Sequence, residues 1–163
     1  MRLKKIIKQL EGKFPLELAE EWDNVGLLLD STRREIKSIM LCLDITRDVV
    51  DKAVANKVDL IISHHPFIFS PLKKITTDEV NGEKILKLAR NNIAVYSMHT
   101  NIDSGIGGLN DFIIKKIGQE GKVFVISDNR CVELRKLVTG DLIDAKDKII
   151  NPLRIQKLKS AIT

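Results

Sequence analysis

Two adjacent histidines, His64 and His65, follow Ser63 at the end of the apolar run Leu60-Ile61-Ile62, and the one other histidine, His99, stands just past Val95-Tyr96-Ser97-Met98. Carboxylates lie close by in sequence, Asp44 after the run ending at Leu43 and Asp103 four residues beyond His99. Neutral imidazole nitrogen combined with carboxylate oxygen suits Zn, Mn, Fe and similar divalent ions. Neighbouring residues of an extended strand point to opposite faces, so an intact strand could not aim both His64 and His65 at one ion. Where the strand gives way to a turn, their side chains can face two ions about 3.5–4 Å apart. Pro66 helps to fix that turn, because it restricts its own φ and disfavours the α region for His65. Asp103 would complete or bridge such a pair. The plainer account of His64 and His65 is hydrogen bonding at a loop mouth.

The residues alone leave the role of His99 open: a ligand, a proton carrier, a group orienting Asp103, or a structural histidine. Asn101, in the same segment, is expected at the pocket with His99 and Asp44. Asp44 or Thr46 can cap the helix that comes next; Asp44 could also face the site, but capping is its simplest role. Ser104-Gly105-Ile106-Gly107-Gly108 leads into a helix, and its amides could cradle an anion. Flexible entry into the helix is the simpler expectation, and without a following Lys-Ser/Thr this is not a Walker-type phosphate loop.

These groups must be held by a scaffold, and the rest of the chain describes one. Leu3, Ile6, Ile7 and Leu10 fall at helical spacing with lysines opposite, predicting a helix over 3–11, and Pro15 can open a second, short one through 21. Residues 25–29 read as a strand. Strand, turn and helix then alternate: strands over 38–43, 58–63 and 93–97, and helices over 47–56, 83–91 and 109–117, the last closed by Gly118. Strands apolar on both faces and alternating with helices predict an α/β fold, a mostly parallel or mixed sheet with helices on both faces. Sites in such sheets form beyond the carboxyl ends of the strands, where Asp44, His64, His65, His99 and Asp103 all map. Residues 123–126 and 131–138 read as strands, and 147–161 as a helix broken near Pro152.

Bulk properties narrow the function classes. With 163 residues and 44% hydrophobic content the chain can bury a sizeable core. Its net charge of +5 is spread among acids, which argues against nucleic acid as the default partner. An aromatic content of 4% disfavours base-stacking platforms. No apolar run approaches the roughly 20 residues of a membrane span, and the charged N-terminus lacks a signal-peptide core, so a cytoplasmic protein is expected. Cys42 and Cys131 are too far apart for a C-x-x-C pair and read as reduced, buried thiols.

Trp22-Asp23-Asn24-Val25-Gly26-Leu27, Leu43-Asp44-Ile45-Thr46, Asp59-Leu60-Ile61-Ile62-Ser63-His64-His65-Pro66 and His99-Thr100-Asn101-Ile102-Asp103 occur in order and at natural spacing. Together they resemble the family of GTP cyclohydrolase I type 2 homologues, also called NGG-interacting-factor-like or dinuclear metal-centre hexamer proteins. The resemblance runs from the N-terminus to about Gly118. It implies a two-metal site with His64, His65 and Asp103 at ligand positions, occupied by Zn, Mn, Fe or Mg. It also implies a toroidal homohexamer and a hydrolytic activity in which metal-activated water attacks the guanine imidazole ring of GTP and formate leaves. His99 would be the candidate proton carrier, and the ligand a nucleotide or related small molecule.

One departure stands out. The family brings a further His and Glu, spaced His-x-x-x-Glu, from a C-terminal half, and no histidine comes after His99 here. The expectation is therefore an α/β metal-binding domain over 1–120 and an atypical or truncated segment over 121–163. Three protein ligands cannot fill two coordination spheres, although water could complete one ion in a two-His-one-carboxylate arrangement. That predicts weak or single-metal occupancy and low or absent catalysis. The alternative function is a non-enzymatic metal-binding or scaffold protein that forms a ring-like oligomer.

Overall fold

The computed structural model describes residues 1–33, 35–116, 124–127 and 130–133. The chain divides into two compact units, Met1–Asn101 and Ile102–Thr163. The first begins with α1 (Leu3–Lys13) and a single 3-10 turn, Leu16–Leu18, then β1 (Gly26–Leu29) and β2 (Ile39–Cys42). Next come α2 (Arg47–Ala55), β3 (Leu60–Ser63), α3 (Val80–Arg90) and β4 (Ala94–Ser97).

The four strands form one sheet in the order β1-β4-β3-β2. β2, β3 and β4 run parallel, and β1 pairs antiparallel with β4, so the sheet is mixed as expected. Side chains alternate across it. Ile61 and Val95 face α2 and α3, sharing a buried cluster with Val50, Ala53, Ile85 and Leu88. Tyr96, one residue on, faces the other way, and its hydroxyl reaches Glu11 Oε1 of α1. Helices thus cover both faces. Leu41 of the edge strand β2 is 75% exposed, with Ile39 and Leu43 also exposed.

The two crossovers are built alike. After α2, Lys57 N–H bonds Val54 O and Val58 N–H bonds Ala53 O; after α3, Asn92 N–H bonds Ala89 O and Ile93 N–H bonds Leu88 O. Lys57 and Asn92 take positive φ values of 53° and 59°. This is the Schellman ending, in which a left-handed residue lets two amides satisfy the last carbonyls. Val58 and Ile93 drop straight into the core from it and lead into β3 and β4.

Elsewhere the elements differ from the sequence expectation for local reasons. α3 starts at Val80, three residues early, and includes Gly82. A Cβ at Gly82 would lie 2.2 Å from Thr76 O, so only glycine lets the preceding loop pack against this turn. The buried Asp59 carboxylate, just before β3, accepts the Lys37 and Ser38 amides at 2.7 and 3.0 Å and pairs with Arg33 at 3.0 Å. It pins the start of β2 to the start of β3. Burial would raise the Asp59 carboxyl, but the two amides and Arg33 hold it below its ordinary value.

α4 (Thr100–Ser104) has no counterpart in the sequence expectation; it begins in the first unit and ends in the second. The second unit contains α5 (Leu109–Lys116) and an antiparallel pair, β5 (Phe124–Ser127) with β6 (Arg130–Glu133). The expected helix over 147–161, the Gly118 helix end and the continuation of the 131–138 strand past 133 lie outside the described residues.

Candidate metal centre

The parallel register pairs Cys42 with Ser63 and Ser63 with Ser97, so β2, β3 and β4 end in one row. The residues just past each strand therefore gather at one sheet edge: Leu43-Asp44, His64-His65 and Met98-His99. The backbone ladder continues past the strands, with His64 N–H on Cys42 O (3.1 Å), His65 N–H on Leu43 O (3.0 Å) and Met98 N–H on Ser63 O (2.9 Å). Two buried serines tie off the last rung. Ser63 Oγ donates to His65 O at 2.9 Å and so accepts from Ser97 Oγ at 2.8 Å, while Phe67 N–H donates to Ser97 Oγ at 3.4 Å. Buried hydroxyls need such partners, and here those partners are the loop that carries the histidines. Ser63 lies within the Asp59–Pro66 motif, but nothing in the sequence shows that it pairs with Ser97.

The three imidazoles converge. Ring centroids are 5.0 Å apart for His64 and His65, 5.1 Å for His64 and His99, and 5.6 Å for His65 and His99. One ligand nitrogen from each lies within 4.8 Å of the others. Each Nδ1 meets an oxygen: Met98 O at 3.0 Å from His64, Asp44 Oδ1 at 2.7 Å from His65, and Asp23 Oδ1 at 3.0 Å from His99. Carbonyls and ionised carboxylates only accept, so a neutral imidazole making any of these contacts carries its proton on Nδ1 and leaves Nε2 as the basic nitrogen. Second-nitrogen anchoring of this kind is what metal-ligating histidines carry. The donor set fits a divalent ion.

Asp23 enters from far away in sequence, just before β1. Its side chain is 0% exposed and its partner His99 20%. Oδ1 also accepts Asn24 N–H at 2.8 Å, and Oδ2 accepts Thr100 N–H at 3.0 Å and the Thr100 hydroxyl. Burial would raise this carboxyl, yet the Thr100 hydroxyl, His99 and the Thr100 amide together hold it below its ordinary value. Trp22, exposed beside it, lies edge-on to both His99 and Phe69, at 6.2 and 6.1 Å. Asp23 and Trp22 belong to the Trp22–Leu27 motif. That motif is the only sequence signal for them, and it carries no role.

Asp44 requires a correction. The cap of α2 is Thr46, whose Oγ1 accepts Val49 N–H at 3.2 Å, whereas Asp44 turns to His65. Asn101 is 0% exposed and braces the chain behind His99, its amide donating to Phe14 O at 3.1 Å and accepting His99 N–H at 3.1 Å. Asp103 stands in the second unit, where its carbonyl accepts from Asn110 Nδ2 at 3.0 Å. In the Ser104–Gly108 loop, Gly107 N–H is taken by Asp111 Oδ2 at 2.6 Å. A Cβ on Gly108 would lie 1.9 Å from Ile102 O, so close backbone approach explains that glycine.

Beside His65 opens a cavity of about 570 Å³, lined by Asp44, His65, Pro66, Phe69, Leu72 and Lys84 among others. Lys84 Nζ donates to Ile45 O at 2.8 Å and lies 5.3 Å from the Phe67 ring centre. Burial, and then the nearby Arg47, hold its ammonium pKa below the ordinary lysine value.

Comparison with known proteins places this geometry in context. Residues 1–160 match the family model Duf34/NIF3 (NGG1p interacting factor 3). The GTP cyclohydrolase 1 type 2 homologue of Clostridium acetobutylicum is 35% identical over 168 residues, covering 98% of this chain and 62% of that one. The Bacillus cereus protein related to NIF3 superposes with a TM-score of 0.68 at 38% identity, over 74% of this chain and 33% of that structure. Reduced HcgD from Methanocaldococcus jannaschii superposes at 0.71 with 34% identity, over 82% and 54%. The chain spans 62% and 64% of the length of two Clostridium relatives and 28–40% of the length of the other curated relatives compared. The match to residue 160 extends well past Gly118, where the sequence motifs end.

Proposed function

The chain belongs to the Duf34/NIF3 family, and on that premise we propose that it is a divalent-metal-binding, hydrolase-like protein. Its ion is held among His64, His65 and His99. The observation that carries this reading is the convergence of three imidazoles, each anchored through Nδ1 by an oxygen. Nitrogen donors favour Zn or Fe over Mg among the expected ions. A divalent ion there supplies Lewis acidity, which makes water a nucleophile near neutral pH.

The residues around the centre suit a small-molecule substrate. His65 belongs both to the cluster and to the wall of the cavity, so a ligand in that cavity sits beside the reactive edge. Lys84 offers it a cation, Phe69 and Leu72 an apolar wall. The relatives' name makes GTP the first substrate to assay. On the same reading the working form is a homo-oligomer, the hexamer that the family resemblance implies, in the cytoplasm; among the described residues no helix is long and apolar enough to cross a membrane.

The test is metal analysis of purified protein, then turnover of GTP with added Zn, Mn, Fe or Mg. One ion per chain, lost in His64→Ala and His65→Ala, is the expected result. An ion retained by both variants would contradict the site. An ion without turnover would assign the non-enzymatic metal-binding role instead.

A further inference from the structure

We propose that Asp23 is a positioning residue of this centre: its buried carboxylate sets His99 in the tautomer and orientation that make Nε2 a ligand. The inference rests on reading the three histidines as a metal site, and names the residue that completes it. His99 is thereby assigned as a donor, not a proton carrier or a structural histidine.

Both oxygens of the carboxylate are engaged. Oδ1 faces His99 Nδ1 and the Asn24 amide, Oδ2 the Thr100 amide and hydroxyl. A carboxylate is ionised near neutral pH and offers only acceptors, so it obliges His99 to carry its proton on Nδ1. With the carboxylate fully buried, solvent cannot substitute for it. Thr100 comes directly after His99 in the chain, so Asp23 grips the ring with one oxygen and the adjoining backbone with the other. That double grip fixes both the tautomer and where the ring points. An amide could not do the same work. Each oxygen faces a main-chain N–H, and an asparagine has one carbonyl oxygen to give, so its NH₂ would oppose either Asn24 N–H or Thr100 N–H. Asn101 closes the arrangement from the other side by accepting His99 N–H.

Two measurements test this. In metal-free wild-type protein labelled with ¹⁵N, long-range ¹H–¹⁵N correlation at a pH above the imidazole range should show His99 protonated at Nδ1, with Nε2 pyridine-like. A dominant Nε2–H form would overturn the proposal without any variant. The second measurement is Zn(II) affinity, by competition with a chromophoric chelator, for wild type, Asp23→Asn, His99→Ala and the double variant. Asp23→Asn should weaken zinc about 10–100-fold, and should cost nothing further once His99 is gone. An equal loss in both backgrounds would mean that Asp23 does not act through His99. Should Asp23→Asn fail to fold, Asp23→Glu takes its place in the same cycle, and the wild-type tautomer decides independently. Wild-type protein that binds no zinc would defeat the metal reading itself; zinc bound by wild type with additive losses would defeat only the role of Asp23.

Discussion

Asp23 and Asp44 each offer a carboxylate oxygen to the Nδ1 of a histidine, at 3.0 and 2.7 Å, yet they sit in opposite surroundings. The Asp23 side chain is 0% exposed and its His99 20%; Asp44 is 57% exposed and its His65 45%. The longer contact is the one the site depends on. Water can replace Asp44 at His65, and an exposed pair is worth roughly 0–1 kcal/mol. No water can replace Asp23, whose oxygens also satisfy two backbone amides and a hydroxyl. Burial and the number of donors served, rather than distance, rank the two pairs.

Removing each carboxylate in turn separates the two pairs. Asp23→Ala leaves the Asn24 and Thr100 amides and His99 without their acceptor in a buried place, and at about 1–3 kcal/mol per unmet buried donor should cost about 3–5 kcal/mol of stability in all, read by urea unfolding. A loss under about 1 kcal/mol would place Asp23 on the same footing as Asp44. Asp59 sharpens the contrast, because it is a buried carboxylate that serves two amides and an arginine but no imidazole. Asp59→Asn should cost about 1–3 kcal/mol and leave zinc affinity unchanged, which separates the effect of burial from that of holding a ligand.

The same variant has a pH signature. The Asp59 carboxyl is lowered in the folded protein, so its contribution is fully present above the ordinary value of 3.8 and is lost as pH falls toward the lower folded value. Asp59→Asn should therefore be less sensitive than wild type to acid below about pH 4, as thermal melts across that range would show. The smallest effect belongs to Asp44→Ala: under about 1 kcal/mol in stability, with a zinc loss smaller than that of Asp23→Asn. A greater loss at Asp44 than at Asp23 would invert the ranking.

Much of the scaffold is legible in the sequence. β2, β3 and β4 are short apolar runs alternating with amphipathic helices, and that pattern specifies both the parallel pairing and the edge where polar residues gather. His64, His65 and His99 are visible for the same reason: they are polar groups placed where buried strands stop. Asp23 is not. It meets His99 across 76 residues, and nothing local to the Trp22–Leu27 segment says which side chain it will meet. Ser63 and Ser97, 34 residues apart, are hidden likewise, since their pairing comes from register. Asp44 misleads because aspartate and threonine are both good caps, and only the strand register shows that Asp44 lies beside His65. The early start of α3 is hidden in the sequence because Gly82, a poor helix former, stands there to let the Thr76 backbone pack close.

The most direct test is a crystal structure of the zinc-loaded protein with anomalous data collected at the zinc edge. A metal centre built on the three imidazoles predicts an anomalous peak about 2.0–2.1 Å from Nε2 of His64, His65 and His99 together, with Asp23 still on Nδ1 of His99. Zinc bound elsewhere, or held by His64 and His65 while His99 turns away from it, would contradict that centre.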